Sequence, residues 1–296
     1  MLKKMRVWIY VALVFCFCCI ANTKEAWSAG KNPMWVISSE QNSIYILGSV
    51  HMLRSEDYPL DEAIESAFSD CQVLVLEMDM GNARNAGLQQ IALKKGMLAP
   101  GDSLEKKISK ETYKLAKAKA AELGIDISIF NQFKPWFFTM TLTMARLQAL
   151  GFSPQHGLDL HFFKKAEQSG KRVIGLETFE QQLKMLDTLS NLNQDDLLLQ
   201  TIDQMDKMEV EFDELIDAWT NGNIKVLEEI MLKSFKSYPK IYTVIITQRN
   251  ENWISKIESY MKRKDNYMVV IGFAHLAGSQ GVIEMLRKRG YLVEQL

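Results

Sequence analysis

Cysteine is scarce in this chain and is concentrated at its start. Of the four cysteines in 296 residues, Cys16, Cys18 and Cys19 lie near the amino terminus, and only Cys71 lies further on. Without the first segment, the chain can form no internal disulfide, and it has no Cys-x-x-Cys pair for zinc or redox chemistry. Cys71 lies just before an apolar run, so we expect a buried small side chain and not a catalytic thiol. The fold must then be stabilised by its core alone.

The sequence also lacks an excess of either charge and an obvious linker. Lys and Arg number 35 and Asp and Glu number 36, which gives a net charge of −1. This balance provides no general attraction to nucleic acid or anionic lipid, and we expect no nucleic-acid partner. Hydrophobic residues make up 47% of the chain, and no Pro/Gly/Ser-rich stretch divides it. We therefore predict a single domain over residues 30–296.

The first 29 residues have the order of charged, apolar and small residues that is typical of a secretory signal peptide. Lys3, Lys4 and Arg6 precede an apolar run over 7–21, and small residues follow as far as Ala29. This order predicts a signal peptide over 1–29 and a periplasmic or secreted protein. The alternative is an uncleaved anchor, which would be the chain's attachment to a membrane, although the run is short for spanning a bilayer.

Short apolar runs that predict β-strands occur near both ends of the chain, and helical patterns fill most of the region between them. The run over 73–76 has no polar alternation, as expected of a buried parallel strand. We predict an α/β fold with a small mixed central sheet from both chain ends and a large helical insertion. The predicted strands cover residues 35–37 and 44–47, which form a hairpin, and then 73–76, 172–175, 267–271 and 291–294.

Three local predictions concern the helices. Residues 241–247 are rich in β-branched side chains, which favour a strand, but Ile246, Trp253 and Ile257 follow a helical period. We therefore predict a helix in this segment. Asp159 precedes another helical pattern and is predicted to cap it. The last helix is predicted over 279–289.

Histidine is rare as well, and two of the four histidines occupy equivalent positions. Gly48 ends a strand-like apolar run and is followed three residues later by His51. Gly272 and His275 repeat this spacing near the other end of the chain. Ligands of open α/β sheets bind beyond the carboxyl ends of the strands, so we expect the two imidazoles to share one site.

Three charged residues extend this candidate site. Glu77 follows the strand predicted over 73–76, and Glu177 follows the one over 172–175. A carboxylate in such a position is either functional or satisfied by a buried partner, because an unpaired buried charge is costly. Arg249 could hold Glu77 or Glu177 by a bidentate pair, stabilise a developing oxyanion, or simply lie on the surface.

The chemistry of these residues leaves two interpretations open. His51, Glu77 and His275 would suit a divalent transition metal with one coordination position left for water. The same groups could instead act as general acid and base without a metal. The chain has no His-Glu-x-x-His motif of a common zinc protease. His156 and His161 do not follow strands and are not assigned to the site.

An ordered set of short motifs connects these residues to a known family. The motifs are Leu47-Gly-Ser-Val-His51, Leu74-Val-Leu-Glu77, Gly157-Leu-Asp159, Gly175-Leu-Glu-Thr178, Arg249-Asn250 and Gly272-Phe-Ala-His275. In this order they resemble the TraB/GumN family, which includes the animal Tiki proteases and is more distantly similar to erythromycin esterases and haem-binding ChaN proteins. The resemblance covers nearly all of the chain after the signal segment. Phe273 departs from the pattern, since a smaller residue is more usual there.

The resemblance implies a metal-dependent peptidase centre in an α/β fold. His51, Glu77 and His275 match the core motif, and Arg249 and Glu177 match the surrounding one. The leading hypothesis is therefore an exported metal-dependent hydrolase that acts on peptides or proteins and uses a divalent transition metal (Mn, Co or Zn). The alternative is a non-catalytic envelope protein that binds a metal, haem or a peptide.

Overall fold

The structure, a computed structural model, describes residues 32–83, 86–236 and 239–296. The predicted signal peptide over 1–29 lies outside these residues, so the signal peptide and the predicted export remain predictions. Within the described residues, no helix combines the length and the apolar character that crossing a bilayer requires.

A mixed six-stranded sheet forms the centre of the described fold. Its strands are β1 (Met34–Ser38), β2 (Ser43–Ser49), β3 (Val73–Met78), β4 (Arg172–Glu177), β5 (Tyr267–Gly272) and β6 (Glu294–Gln295). Their spatial order is β4-β3-β5-β2-β1-β6. Strands β4, β3, β5 and β2 are parallel, whereas β1 pairs antiparallel with β2 and β6. The predicted α/β fold with a mixed sheet is confirmed.

The central strands are apolar because both of their faces are covered. Every residue from Tyr267 to Ile271 in β5, and from Val73 to Leu76 in β3, is at most 1% exposed. Continuous apolar runs of this kind are what a parallel sheet between helices requires. The register pairs Ser49 with Gly272, and Met78 with Glu177. The carboxyl ends of all four parallel strands consequently meet at one edge of the sheet.

Helices occupy most of the chain between β3 and β5, as predicted. Helix α1 (Glu62–Asp70) precedes β3. Between β3 and β4 lie α2 (Met80–Ala83), α3 (Ala86–Gly96), α4 (Leu104–Lys107), α5 (Lys110–Glu122), α6 (Pro135–Ala149) and α7 (Leu158–Ser169). Between β4 and β5 lie α8 (Phe179–Asp187), α9 (Gln194–Gln204), α10 (Met208–Thr220), α11 (Ile224–Phe235), α12 (Pro239–Tyr242) and α13 (Gln248–Tyr260), and α14 (Val282–Lys288) follows β5.

The segment over 241–247 is helical, as predicted, but it contains an irregular turn. Helix α12 continues through a π-helical turn (Thr243–Thr247) into α13. The apolar residues of the helical period, Ile246, Trp253 and Ile257, are at most 1% exposed. Single π-turns redirect the side chains that follow them and occur frequently at functional sites. This one ends two residues before Arg249.

The end of the chain differs from the prediction in its boundaries. The last helix begins at Val282 instead of 279. The preceding loop is tight, since a Cβ on Gly281 would lie 2.2 Å from the carbonyl oxygen of Leu276. The closing strand contains only Glu294–Gln295, because its register with β1 extends over just two residues, Trp35 and Val36.

A buried hydrogen bond joins the carboxyl end of β2 to the helical insertion. The indole Nε1 of Trp219, in α10, donates to the carbonyl oxygen of Gly48 at 2.7 Å. Gly48 itself has no room for a side chain, since a Cβ would lie 2.6 Å from the ring of Phe273. The end of β2, the turn after β5 and α10 are therefore fixed against one another.

We predict that Trp219→Phe lowers the free energy of unfolding by about 1 kcal/mol more than Trp136→Phe does, because only the first variant loses a hydrogen bond. Both indoles are buried, but the Nε1 of Trp136 has no hydrogen-bond partner among the described residues. Urea denaturation of the two variants and the wild type measures the difference. Equal losses would contradict the assigned role of Trp219.

Candidate active site at the carboxyl edge of the sheet

His51 follows β2 and is held by the start of α7. Gly157 approaches it so closely that a Cβ there would lie 2.0 Å from the carbonyl oxygen of His51. Asp159 Oδ2 lies 2.7 Å from the imidazole Nδ1, and the hydroxyl of Ser49 donates to the same carboxylate oxygen at 3.2 Å. Asp159 therefore keeps a proton on Nδ1 and turns Nε2 of His51 toward Glu77.

The prediction that Asp159 caps α7 is wrong. The N-cap residue is Gly157, without a side-chain cap, and Asp159 lies in the first turn of the helix. Its carboxylate contacts His51 instead, because a hydrogen bond between charged partners is about twice as strong as a neutral one. A carboxylate in the first turn also interacts favourably with the helix dipole.

His275 ends a short 3₁₀ turn after β5 and is held by Asn250 of α13. The amide Nδ2 of Asn250 donates to the carbonyl oxygens of His275 and Gln280, at 3.0 and 2.8 Å. The amide Oδ1 must therefore accept the proton of His275 Nδ1, at 2.7 Å. Nε2 of His275 is left unprotonated, and it accepts a hydrogen bond from Arg249 Nη1 at 2.9 Å.

The guanidinium of Arg249 joins both predicted carboxylates at once. Its Nη2 donates to Glu77 Oε2, and its Nε donates to Glu177 Oε1, both at 2.6 Å. The Arg249 side chain is 11% exposed, which excludes the alternative of a surface arginine. Of the two partners that the sequence offers for Arg249, the structure uses both, with one nitrogen of the guanidinium donating to each instead of a bidentate pair to one.

Gly272 leaves the space in which His51 and Glu77 face each other. Its backbone N–H donates to Glu77 Oε1 at 2.8 Å, and a Cβ would lie 3.0 Å from His51 Nε2. The Nε2 atoms of His51 and His275 are each 3.9 Å from Glu77 Oε1. The structure thus brings His51, Glu77, His275, Arg249 and Glu177 together in one cluster.

The charges of this cluster give its two histidines very different pKa values. Burial disfavours the imidazolium of His51, but Asp159 and Glu77 outweigh it and raise the pKa of His51 to about 9. Burial and the positive charge of Arg249 together lower the pKa of His275 to about 3. At neutral pH the site contains one imidazolium and one neutral imidazole.

The carboxyl groups of Glu77 and Glu177 are also shifted in opposite directions in pKa. Burial would raise the pKa of Glu77, but Arg249 and the two histidines hold it well below its usual range. Burial raises the pKa of Glu177 in spite of the charge of Arg249. Glu77 is therefore the ionised partner of the histidines, and Glu177 is the carboxylate that accepts a proton more readily.

The cluster has the donor chemistry of a metal site. Bonds from a transition metal to imidazole or carboxylate are about 2 Å long, so two ligand atoms of one ion lie at most about 4 Å apart. The separations of 3.9 Å lie at this limit, which only two atoms on opposite sides of an ion reach, so both imidazoles would have to move closer to Glu77 Oε1 to share one ion with it. Each of the two imidazoles also has its Nδ1 fixed by an oxygen acceptor, as metal-binding histidines do.

Arg249 keeps this donor set from being complete in the structure. It occupies Nε2 of His275, and among the described residues no three side chains are assembled as a metal-binding group. Two cations cannot share one nitrogen lone pair. The residues therefore fit a metal in their chemistry, provided that Arg249 moves away from His275 and both imidazoles approach Glu77.

The other histidines and Cys71 lie outside the cluster. His161 Nε2 lies 3.7 Å from Glu65 Oε1, and the backbone oxygen of His156 accepts a hydrogen bond from Tyr58. Cys71 is a buried free thiol, as predicted, and burial raises its pKa to about 11. A thiol with this pKa is a poor nucleophile.

Sequence reasoning assigns no role in the site to Ser49, Asp159 or Asn250, which hold the imidazoles. Asp159 and Asn250 do stand in the motifs Gly157-Leu-Asp159 and Arg249-Asn250. The sequence therefore indicates Asp159 and Asn250 only through their membership of the ordered motifs. Their function as orienting groups becomes apparent only from the hydrogen bonds to Nδ1.

We predict that Asp159→Asn lowers the pKa of His51 from about 9 toward or below its ordinary value of about 6.5, because burial then acts without the opposing charge. NMR titration of the imidazole Hε1 in metal-free protein measures this pKa. Ser49→Ala is the matched control, since it removes a neighbour of the same carboxylate and leaves the charge. A His51 titration that is unchanged in Asp159→Asn would contradict the assignment.

Comparisons with known proteins place this chain in a family. The chain is 25% identical to the Escherichia coli (strain K12) protein YbaP over 282 residues, which cover 89% of this chain and 97% of YbaP. It is 20% identical to an uncharacterised Treponema pallidum (strain Nichols) protein, covering 96% of this chain and 90% of that protein. No solved structure gives a significant match.

A more distant relative of this chain is named as an enzyme. A protein of Amphimedon queenslandica, named as a metalloprotease TIKI homolog, is 23% identical over 195 residues, which cover 57% of this chain and 38% of that protein. The profile of the TraB/PrgY/gumN family matches residues 33–295, nearly all of the chain that follows the predicted signal peptide. The chain therefore belongs to the TraB/PrgY/gumN family.

Proposed function

We propose that this protein is an exported, metal-dependent hydrolase that cleaves peptide bonds at the cluster of His51, Glu77 and His275. The observation that carries the proposal is the arrangement of two imidazoles around one carboxylate, each with Nδ1 tethered and Nε2 within 3.9 Å of Glu77 Oε1. The similarity to a protein named as a metalloprotease supports the choice of reaction. The export rests on the signal peptide predicted over 1–29, and the expected location is the periplasm or the medium.

His51, His275 and Glu77 would hold the divalent metal, for which Mn, Co and Zn are the candidates. Such an ion supplies Lewis-acid polarisation of a substrate carbonyl. Asp159 and Asn250 orient the two imidazoles through their Nδ1 atoms. The low pKa of Glu77 suits a ligand better than a general base, whose pKa should lie near the working pH.

Arg249 and Glu177 would serve the reacting substrate. Once Nη1 of Arg249 leaves His275, it can donate to the negative charge that develops on a carbonyl oxygen during hydrolysis. Glu177 keeps the guanidinium in place through Nε during this movement. Since burial raises the pKa of Glu177, this carboxylate is the better candidate for accepting a proton from the attacking water.

A second function, binding without turnover, is favoured by one observation. Arg249 occupies Nε2 of His275 and Glu77 is already hydrogen-bonded, so the described residues contain no assembled metal centre that could activate water. In this alternative the protein binds a metal, haem or a peptide in the envelope and forms no product. Metal-binding and cleavage experiments separate the two proposals.

The metal experiment compares variants of single histidines. We predict that His51→Ala and His275→Ala each reduce the affinity for Mn²⁺, Co²⁺ or Zn²⁺ by roughly 100-fold or more, since even the loss of an outer-shell partner costs about 10–100-fold. Calorimetric titration of chelator-stripped protein measures the affinity. His161→Ala is the matched control, because its imidazole lies outside the cluster. Unchanged affinity in both site variants, with folding verified by circular dichroism, would refute the metal site.

The cleavage experiment tests turnover. We predict that the metal-loaded protein cuts members of a peptide library, detected by mass spectrometry, and that Glu77→Gln lowers the rate by roughly 100-fold or more because it removes a charge that the site is built around. Glu284→Gln is the control, since Glu284 forms an ion pair on α14 with the neighbouring Arg287. Saturable binding of peptide without any product would reject the hydrolase in favour of the binding protein.

A further inference from the structure

Trp253 of α13 contacts both side chains whose hydrogen bond must break before His275 can bind a metal. It follows Arg249 by four residues, so the two side chains share one face of the helix. The guanidinium carbon of Arg249 lies 4.7 Å from the centre of the indole ring, and the imidazole of His275 lies 4.3 Å from it, centre to centre. The indole is fully buried, so it forms a wall of the site.

The face of the indole attracts Arg249 in a way that a small movement does not abolish. A cation is attracted to an aromatic face within about 6 Å of the ring centre, whereas the hydrogen bond from Nη1 to His275 requires a defined distance and direction. When Nη1 leaves His275, the buried guanidinium loses one of its acceptors and keeps the ring. The indole face therefore stabilises Arg249 more after this movement than before it.

The imidazole of His275 is packed against the same wall. Asn250 holds its Nδ1, and the indole lies beside it with 40° between the two ring planes. The imidazole can therefore turn about its tether and bring Nε2 toward Glu77 while it stays in contact with the indole.

The indole nitrogen of Trp253 is a buried donor without an acceptor. Nε1 makes no hydrogen bond among the described residues, in contrast to Nε1 of Trp219. Burial raises the pKa of Glu177, and the N–H of Trp253 is among the groups that oppose this rise, so it is directed toward that carboxyl group. Because an unsatisfied buried donor is costly, a rearrangement that brings Glu177 within hydrogen-bonding distance is favoured.

We propose that Trp253 is the positioning residue of the rearrangement that metal binding requires. As Arg249 leaves His275, its guanidinium stays on the indole face, and Glu177, still bonded to Nε of Arg249, accepts a hydrogen bond from Nε1 of Trp253. The inference rests on the proposed metal site. In this role Trp253 holds Arg249 and Glu177 in the positions from which they serve the substrate.

An NMR experiment on the wild-type protein tests the new hydrogen bond. Metal-free protein that contains ¹⁵N-labelled tryptophan is titrated with Zn²⁺, and calorimetry records the binding. The indole signals are assigned from Trp253→Phe and Trp136→Phe. We expect the Nε1 proton of Trp253 to shift downfield at saturation, because it gains an acceptor. Trp136 is the matched control, since its buried Nε1 also lacks a partner among the described residues but lies in α6, outside the cluster.

An affinity experiment separates the ring of Trp253 from its nitrogen. Trp253→Phe keeps an aromatic face and loses the N–H, so we expect Zn²⁺ binding to weaken by about threefold, the effect of one hydrogen bond. Trp253→Leu loses both contacts and should weaken binding by about tenfold or more. Trp136→Phe should leave the affinity unchanged. Urea denaturation of each variant is the second measurement, because a role in packing alone would lower the free energy of unfolding and leave the Zn²⁺ affinity as in the wild type.

The outcomes distinguish this inference from the proposed metal site. Zn²⁺ binding that needs His51 and His275 but leaves the Trp253 signal in place overturns the role of Trp253 and keeps the metal site. Unchanged affinity in Trp253→Leu, or equal losses in Trp253→Phe and Trp253→Leu, overturns it as well. No Zn²⁺ binding by the wild-type protein would refute the metal site itself, and the inference with it.

Discussion

The guanidinium of Arg249 is the group on which the arrangement of the site depends. It donates to Glu77 and Glu177 at 2.6 Å and to His275 at 2.9 Å. The Arg249 side chain is buried, so these hydrogen bonds are shielded from water. Two buried carboxylates this close together would repel each other, and each would lose its hydration without compensation. A planar donor group with several fixed N–H directions satisfies both, which the single ammonium of a lysine cannot do with the same geometry.

The parallel sheet explains why these partners meet although they are distant in sequence. Strands β2, β3, β4 and β5 end at one edge, and each delivers one polar side chain just at or after its end: His51, Glu77, Glu177 and His275. The helical insertion provides the groups that orient them. Asp159 comes from α7, and Arg249 and Asn250 come from α13. The sheet thus supplies the reactive groups and the helices supply their hydrogen-bond partners.

The groups at the strand ends could be predicted from the sequence, whereas their hydrogen-bond partners on the helices could not. Apolar runs identify strands, and a polar residue directly after a run identifies a side chain at the sheet edge, so His51, Glu77, Glu177 and His275 can be found. The partner of Asp159 is 108 residues away, and its sequence neighbourhood indicates only a helix start. The same holds for Arg249, for which a surface position was one of the alternatives, because its two carboxylate partners are 72 and 172 residues away.

The two histidines also differ in how ready they are to bind a metal. His275 has a pKa of about 3 and needs no deprotonation, but Arg249 occupies its Nε2. Among the described residues no cation occupies Nε2 of His51, yet its pKa of about 9 means that this nitrogen carries a proton at neutral pH. A metal-bound state therefore requires a proton to leave His51 and a guanidinium to leave His275. Both changes would move positive charge away from Glu77, and the charge of the proposed metal would replace it beside the buried carboxylates.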